Sequence, residues 1–353
     1  MNQIQGKRFK KFIDTSKIEQ GTSAYKLGLG GWKPMDAASV HKFGYGDCKA
    51  LTNYTKALLA VAGIPSNYTL IYAHKRRQHI DKDFVCVAGN HAILNVPLPN
   101  DTIWLECTSQ NMAYNLVTPD THDRDALSIG ENETSIVHTP VLNASTNKRK
   151  NSSTITLQPN GNISGKLRST YEGRYYLYHL AEATTSETEF RKNVLEDLTE
   201  FQELKIQHTR RLNDRENASY QRDLEFTASK YCKKVGTELL LRAIPYDLVG
   251  LGLEKDNSKY GRHTIEGDEQ LDEVLFELPK GYIIKDLPVA VEKNSIFGKY
   301  ALSFQLENNL LKVNRLFHVN DLECDVTQYN SFVTYMDEIV KLDNTKVLLS
   351  PQN

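Results

Sequence analysis

The sequence predicts an α+β protein in two parts: a mixed α/β region over residues 1–145, then a β-rich, sandwich-like region over 146–353 with one or two helices. Three observations carry this. Leu51, Tyr54, Leu58 and Val61 recur at three- and four-residue steps, the stripe of an amphipathic helix. Short apolar runs bounded by turn residues follow that stripe. Beyond residue 150 the apolar pattern changes to period two, with hairpin signals between the runs. A length of 353 residues agrees with two or three domains at roughly 150 residues each. A further division of the second part into 146–230 and 231–353 stays open.

The helix runs from about Cys48 to Ala62 and is stopped by Gly63 and Pro65. Strands are expected at 68–73, 84–87, 91–96 and 102–107. The polar stretch NASTNKRKNSS, 143–153, reads as a linker. ITLQPNGNISGKL then reads as a hairpin turning at Asn160-Gly161. Ser186 and Glu189 form a capping box, with Phe190, Val194 and Leu198 as the helix face behind it. Period-two strands follow from Tyr220, at 238–243, 273–278, 300–306 and 310–319, the last two joined at Asn308-Asn309. Phe332, Met336, Ile339 and Val340 predict a closing helix.

Composition excludes several classes. Apolar residues at 40% and charged residues at 25% describe an ordinary globular protein. Lys and Arg total 43 against 44 Asp and Glu, a net charge of −1, which argues against a nucleic-acid binder. No apolar run approaches the roughly 18 residues of a membrane span. The opening stretch MNQIQGKRFKKFIDTSKIEQ carries no signal-peptide apolar block. Five cysteines, Cys48, Cys86, Cys107, Cys232 and Cys324, are odd in number and form no CxxC pair. Neither a fully paired disulfide scaffold nor a zinc ribbon fits.

The sharpest local signal is FGYGDCKALTNYTKALL. Cys48 stands where a glycine-rich loop becomes a helix, with Asp47 as the expected N-cap. The helix dipole and the unpaired N–H groups of a first turn favour thiolate. Gly44 and Gly46 would let a substrate approach the sulfur. A buried structural cysteine at a helix start gives the same pattern, and this segment alone does not choose. The second piece, GNHAILNVPLPNDTIWLECT, reads as a tight hairpin. Any even loop at Leu98-Pro99 or Pro97 to Asn100 pairs Asn95 with Thr102, Ile93 with Trp104 and His91 with Glu106. That register sets a carboxylate beside an imidazole, the orienting arrangement of a Cys-His-acid triad; a purely structural His-Glu contact is the other reading.

Together these pieces resemble the transglutaminase-like superfamily, whose core is papain-related. GYGDCKALTNYTKALLAVAGIPS is similar to its Gly-Asp-Cys helix, NHAILNVPL to its Asn-His strand, and TIWLECTSQ to its Trp-Leu-Asp-x-Thr strand. LGLGGWKPMDA resembles the lead-in of a Bacteroidetes-type, envelope-associated branch in which the core is flanked by domains of unknown function. The likeness is close over 25–140 and looser from about Ala228, where KYCKKVGTELLLRAIP and LPKGYIIKDLP resemble the following β-rich domain. The resemblance implies Cys48 as nucleophile, His91 as general base and acid, and Glu106 as orienting acid, where the superfamily usually has Asp. Some transglutaminases bind the oxyanion through an upstream Trp. Trp32 is the candidate here, with packing over the helix as the other reading. The Cys48 backbone N–H is the safer oxyanion donor.

The implied chemistry is acyl transfer from a peptide or protein amide through a thioester, ending in hydrolysis or cross-linking, with no cofactor and no metal. The alternative is a non-catalytic envelope binding or scaffolding module with a vestigial site. The branch also implies an exported full-length parent, periplasmic or envelope-bound, with a further domain ahead of this core. The β-rich half is expected to hold substrate or to act as a spacer.

Other features carry structural expectations. HKRRQHIDKD, 74–83, reads as a solvated loop, and GLGLGG lacks the strand a dinucleotide loop needs. Cys86 and Cys107 read as core thiols, and no His-acid set is expected around Cys232 or Cys324. Asp123, Arg124 and Asp125 read as a tie at the end of the core or a surface ion-pair cluster.

Overall fold

The computed structural model describes residues 21–22, 33–84, 89–248 and 252–352. The chain divides into two compact units, 1–142 with 213–218, and 143–212 with 219–353. No helix among the described residues is long and apolar enough to cross a membrane.

In the first unit β1 (Gly21–Thr22) pairs in parallel with β2 (Tyr45–Gly46). Helix α1 (Ala37–Phe43) precedes β2 and α2 (Cys48–Val61) follows it. Five antiparallel strands, β3 (Asn67–Ile71), β4 (His91–Leu98), β5 (Asp101–Leu105), β6 (Asp125–Ile129) and β7 (Thr134–His138), pair in the order β5-β4-β3-β6-β7.

Helix α2 buries Ala50, Leu51, Tyr54 and Leu59 against Leu94 and Val96 of β4 and Ile103 and Leu105 of β5. Strand alternation places those four strand residues on one face. A fully buried leucine contributes roughly 1.5–3 kcal/mol, so this face fixes where the helix start lies. Val61 departs from the expected stripe and is 88% exposed, because Leu59 closes the buried face and Val61 falls at its rim.

The β4–β5 register differs from the expected one. Leu98 pairs with Asp101, Pro97 with Thr102 and Asn95 with Trp104, so Pro99-Asn100 forms the turn. Proline presets φ for the first central position of a turn and is disfavoured at the second, where the expected Leu98-Pro99 loop put it. The shift is two residues, so His91 and Glu106 keep a common face as diagonal rather than direct neighbours.

The second unit holds an eight-stranded sheet in the order β10-β11-β9-β8-β15-β19-β18-β17. Its strands are β8 (Lys148–Leu157), β9 (Ile163–Glu172), β10 (Lys205–Asp214), β11 (Ser219–Ala228), β15 (Asp268–Glu277), β17 (Val291–Ser295), β18 (Gly298–Glu307) and β19 (Leu310–Val319). A four-stranded sheet joins β12 (Lys233–Val235), β13 (Glu238–Arg242), β21 (Lys346–Pro351) and β16 (Tyr282–Ile284). A short pair joins β14 (Arg262–Ile265) to β20 (Leu322–Asp325). Helices α3 (Arg174–His179), α4 (Glu187–Asp197) and α5 (Val326–Asp343) complete the unit.

Leu239, Leu241, Val347 and Leu349 of the smaller sheet share one buried cluster with Phe226, Phe276 and Phe317 of the larger. The Ser186 cap forms, its Oγ accepting from Glu189 N–H at 3.2 Å. Asn308 and Asn309 both adopt positive φ in the two-residue β18–β19 turn.

One expectation is corrected here. The 143–153 linker is a turn at 143–146 followed by β8, and β8 pairs in parallel with β15 in an otherwise antiparallel register. The first half of β8 was hidden because its inward residues are Arg149, Asn151 and Ser153, while Ile155 to Leu157 pair with β9 in the expected hairpin.

Candidate active site

The chain reaches the site through two helix ends. Gly44 closes α1 in the left-handed region at φ 69, which explains that glycine. A Cβ on Gly46 would lie 2.8 Å from Ala50 Cβ, so this glycine lets the loop pack on the first turn of α2. Both glycines have a backbone or packing role of their own. Asp47 caps α2, its Oδ1 accepting from Ala50 N–H at 2.9 Å, and its Oδ2 meets the buried Lys49 ammonium at 2.6 Å. The Lys49 ammonium offsets part of the capping charge, which still pushes the thiol up.

Cys48 opens α2 and is half-buried. The His91 ring and the Ala92 N–H both act on its thiol. Burial pushes the thiol up; His91 and the Ala92 N–H outweigh it and hold the thiol below its ordinary value. Thr52, four residues along and so on the same helix face, donates Oγ1 to the Ala92 carbonyl at 3.0 Å.

His91 Nε2 lies 2.8 Å from Glu106 Oε2. Burial opposes charge on His91, yet the Glu106 carboxylate and Cys48 raise it to about 10. Glu106 is 6% exposed. Its Oε1 accepts from Thr108 N–H at 2.9 Å and Thr108 Oγ1 at 2.6 Å. Burial would raise this carboxyl, but His91 and Thr108 hold it below the usual range. A thiol held low beside an imidazole held high favours a thiolate–imidazolium pair near neutral pH.

The structure therefore brings Cys48, His91 and Glu106 together, with Glu106 on Nε2. Trp32 and Cys86 lie outside the described residues, as does most of the strand expected at 84–87. Thr52 and Tyr68 escaped the sequence reading, and Thr108 stood in it only as the Thr of the Trp-Leu-Asp-x-Thr likeness, without a role. Thr108 stands two positions after Glu106 in the ECT triplet, the signal that could have found it. Thr52 and Tyr68 act through tertiary proximity: the Tyr68 phenol is raised well above its usual range by burial and by the charges of Cys48 and Asp47.

The other described thiols are not activated. Cys107 is buried with the α2 core, and burial pushes Cys232 up to about 12. Cys324 corrects an expectation: His263 lies directly opposite it in the β14–β20 pair, and His263 Nε2 meets Asp256 Oδ2 at 2.7 Å. The His263 ring stacks on Tyr329 at 3.9 Å, and Cys324 is buried, its thiol raised by burial and Asp325. The set lacks an available thiolate.

Two groups of possible metal donors occur among the described residues, His79–Asp125–His138 and His179–Glu182–Asp197. Side-chain cations already hold the carboxylates: Lys82 meets Asp125 at 3.1 Å, and Arg222 meets Asp197 at 2.7 Å. The 74–83 loop is thus anchored at Asp125. Arg124 is fully buried and donates to the Tyr72, His74 and His122 carbonyls, an interior tie, while Asp123 and Asp125 on either side pair with Arg77 and Lys82.

Residues 266–349 match the model of a Domain of Unknown Function of solved structure, DUF3858. No curated protein matches the chain. A similar solved structure is that of a putative protease from Parabacteroides distasonis, at TM-score 0.55 and 12% identity, covering 96% of this chain and 50% of that one. The chain thus spans about half the length of that protein, and the likeness is one of fold.

Proposed function

We propose that the chain is a transglutaminase-like cysteine acyltransferase or hydrolase acting on a peptide or protein amide. The observation that carries this reading is the Cys48 thiol electrostatically coupled to His91, whose Nε2 meets the buried Glu106 at 2.8 Å. The fold likeness to a putative protease supports it at the level of fold.

In the proposed reaction the Cys48 thiolate attacks the amide carbon, and the carbonyl electrons move to oxygen. The Cys48 backbone N–H, in the first helical turn where no intrahelical acceptor exists, faces that oxyanion. Collapse breaks the C–N bond, His91 gives its proton to the departing amine, and a thioester remains on Cys48. Water or an amine then attacks the thioester and gives its proton to His91. The C–S bond breaks, restoring the thiolate–imidazolium pair. Glu106 stays ionised and orients the ring.

Trapping of the acyl-enzyme tests this. Incubation with peptide thioesters or activated amides, acid quench and peptide mass analysis should find the acyl group on Cys48. Turnover with no adduct on Cys48, or unaltered turnover in Cys48→Ala, would refute it.

A further inference from the structure

We propose that Tyr68 is a further catalytic residue of the Cys48 site, its phenolic O–H donating to the oxyanion beside the Cys48 backbone N–H. This role rests on the acyl-transfer reading above and adds one group to it. An oxyanion is stabilised by donors fixed in place before the reaction, and a single backbone N–H is a sparse set.

The strand register places the side chain. In the β3–β4 pair Tyr68 stands opposite Leu94, and Leu70 opposite Ala92. Alternation therefore puts Tyr68 on the face of Leu94 and Ala92, the face on which α2 lies. Helix α2 packs on β3 as well as on β4. Tyr68 is the diagonal neighbour of Ala92, a separation that an aromatic side chain spans. Ala92 is the residue whose N–H acts on the Cys48 thiol, and its side chain is too small to fill the space above it. His91 pairs with Ile71 and begins the opposite face. Imidazole and phenol thus approach the sulfur from different sides, as a base and an oxyanion donor must.

Two further observations bear on the hydroxyl. Among the charges that act on Tyr68, Cys48 comes first and Asp47 second. The peptide joining those two residues carries the Cys48 N–H, so phenol and N–H stand at the same end of α2. Tyr68 is half-buried, and among the described residues its hydroxyl makes no hydrogen bond and is not sealed from solvent. Tyr54, by contrast, engages its hydroxyl with His41 at 3.0 Å. Burial and the charges of Cys48 and Asp47 hold the Tyr68 phenol above its ordinary range, so it keeps its proton and donates. As the thiolate attacks and the carbonyl electrons move to oxygen, the O–H closes on that oxygen. No proton leaves the phenol, and collapse of the intermediate releases the bond.

Acetylation of the full chain by p-nitrophenyl acetate tests this. The Cys48 thiolate attacks the ester carbon, the C–O bond breaks, nitrophenolate leaves and acetyl remains on sulfur. Absorbance follows the nitrophenolate, and peptide mass analysis locates the acetyl group. Tyr68→Phe keeps the ring and removes the donor, and should slow acetylation on the order of 10²-fold. Iodoacetamide alkylates the same thiolate at a saturated carbon and forms no oxyanion, so its rate should be equal in variant and parent. That equality also reports a folded site. Acetylation of the variant at the parent rate would overturn the proposal. A parallel loss of alkylation would also overturn it, by making Tyr68 a structural residue. No acetyl on Cys48 in the parent would remove the acyl-transfer reading itself, and that outcome is recognised without any variant.

Discussion

Thr52 and Ala92 are tied by a buried hydrogen bond of 3.0 Å, the hydroxyl of α2 donating to the carbonyl of β4. The N–H of the same Ala92 also acts on the Cys48 thiol, lowering its pKa. One residue of β4 is therefore tied to α2 by Thr52 and influences the thiol one helical turn earlier, and its neighbour is His91. The geometry between thiol and imidazole rests on this clip as much as on the side chains that react.

Thr52→Val keeps the shape but removes the donor, leaving the buried Ala92 carbonyl unpaired. The expected cost is about 1–3 kcal/mol of stability, read from urea denaturation. Alkylation of Cys48 at pH 6 should slow as well, and Thr52→Ser should restore both. A valine variant equal to the parent in stability and alkylation rate would remove the clip from the account.

Glu106→Gln keeps a polar group near His91 but loses the charge. Its turnover should fall on the order of 10²–10⁴-fold, less than the complete loss expected of Cys48→Ala. The stability difference should depend on pH with a definite sign. The lowered Glu106 contributes above the ordinary carboxyl value of about 4.3 and loses that contribution as pH falls. The raised His91 contributes below its ordinary value of about 6.5 and loses that contribution as pH rises. Parent and variant should therefore differ most between those two values in a pH series of denaturation curves. A difference that grows steadily toward pH 9 would be the wrong sign.

Gly46→Ala places a Cβ 2.8 Å from Ala50 Cβ, so the loop or the first turn of α2 must move. Overpacking of this kind costs about 1–3 kcal/mol. Thermal denaturation should show that loss, and Cys48 should lose its reactivity advantage at pH 6. Gly63→Ala, where nothing lies within 4 Å but φ is +72, should cost stability without touching Cys48 reactivity.

These residues also show how far the sequence could be read. Asp47 and Cys48 were legible because a cap and a first-turn thiol are local patterns. The common face of His91 and Glu106 was legible because an even shift preserves strand parity, although the pairing itself moved by two. Thr52 and Tyr68 were not, since their roles depend on which strand lies over the helix. The first half of β8 was lost to a pattern search because polar residues face its core, and His263 was missed beside Cys324 because β14–β20 pairing joins residues far apart in the chain.

Site-resolved alkylation of the cysteines by iodoacetamide across pH, in the parent and in His91→Ala, tests the central claim most directly. The account predicts that Cys48 reacts at pH 6 well ahead of Cys107, Cys232 and Cys324, and that His91→Ala delays its reaction to the pH range of an ordinary thiol. A Cys48 that reacts only above about pH 8.5 in the parent, with no change in His91→Ala, would contradict it.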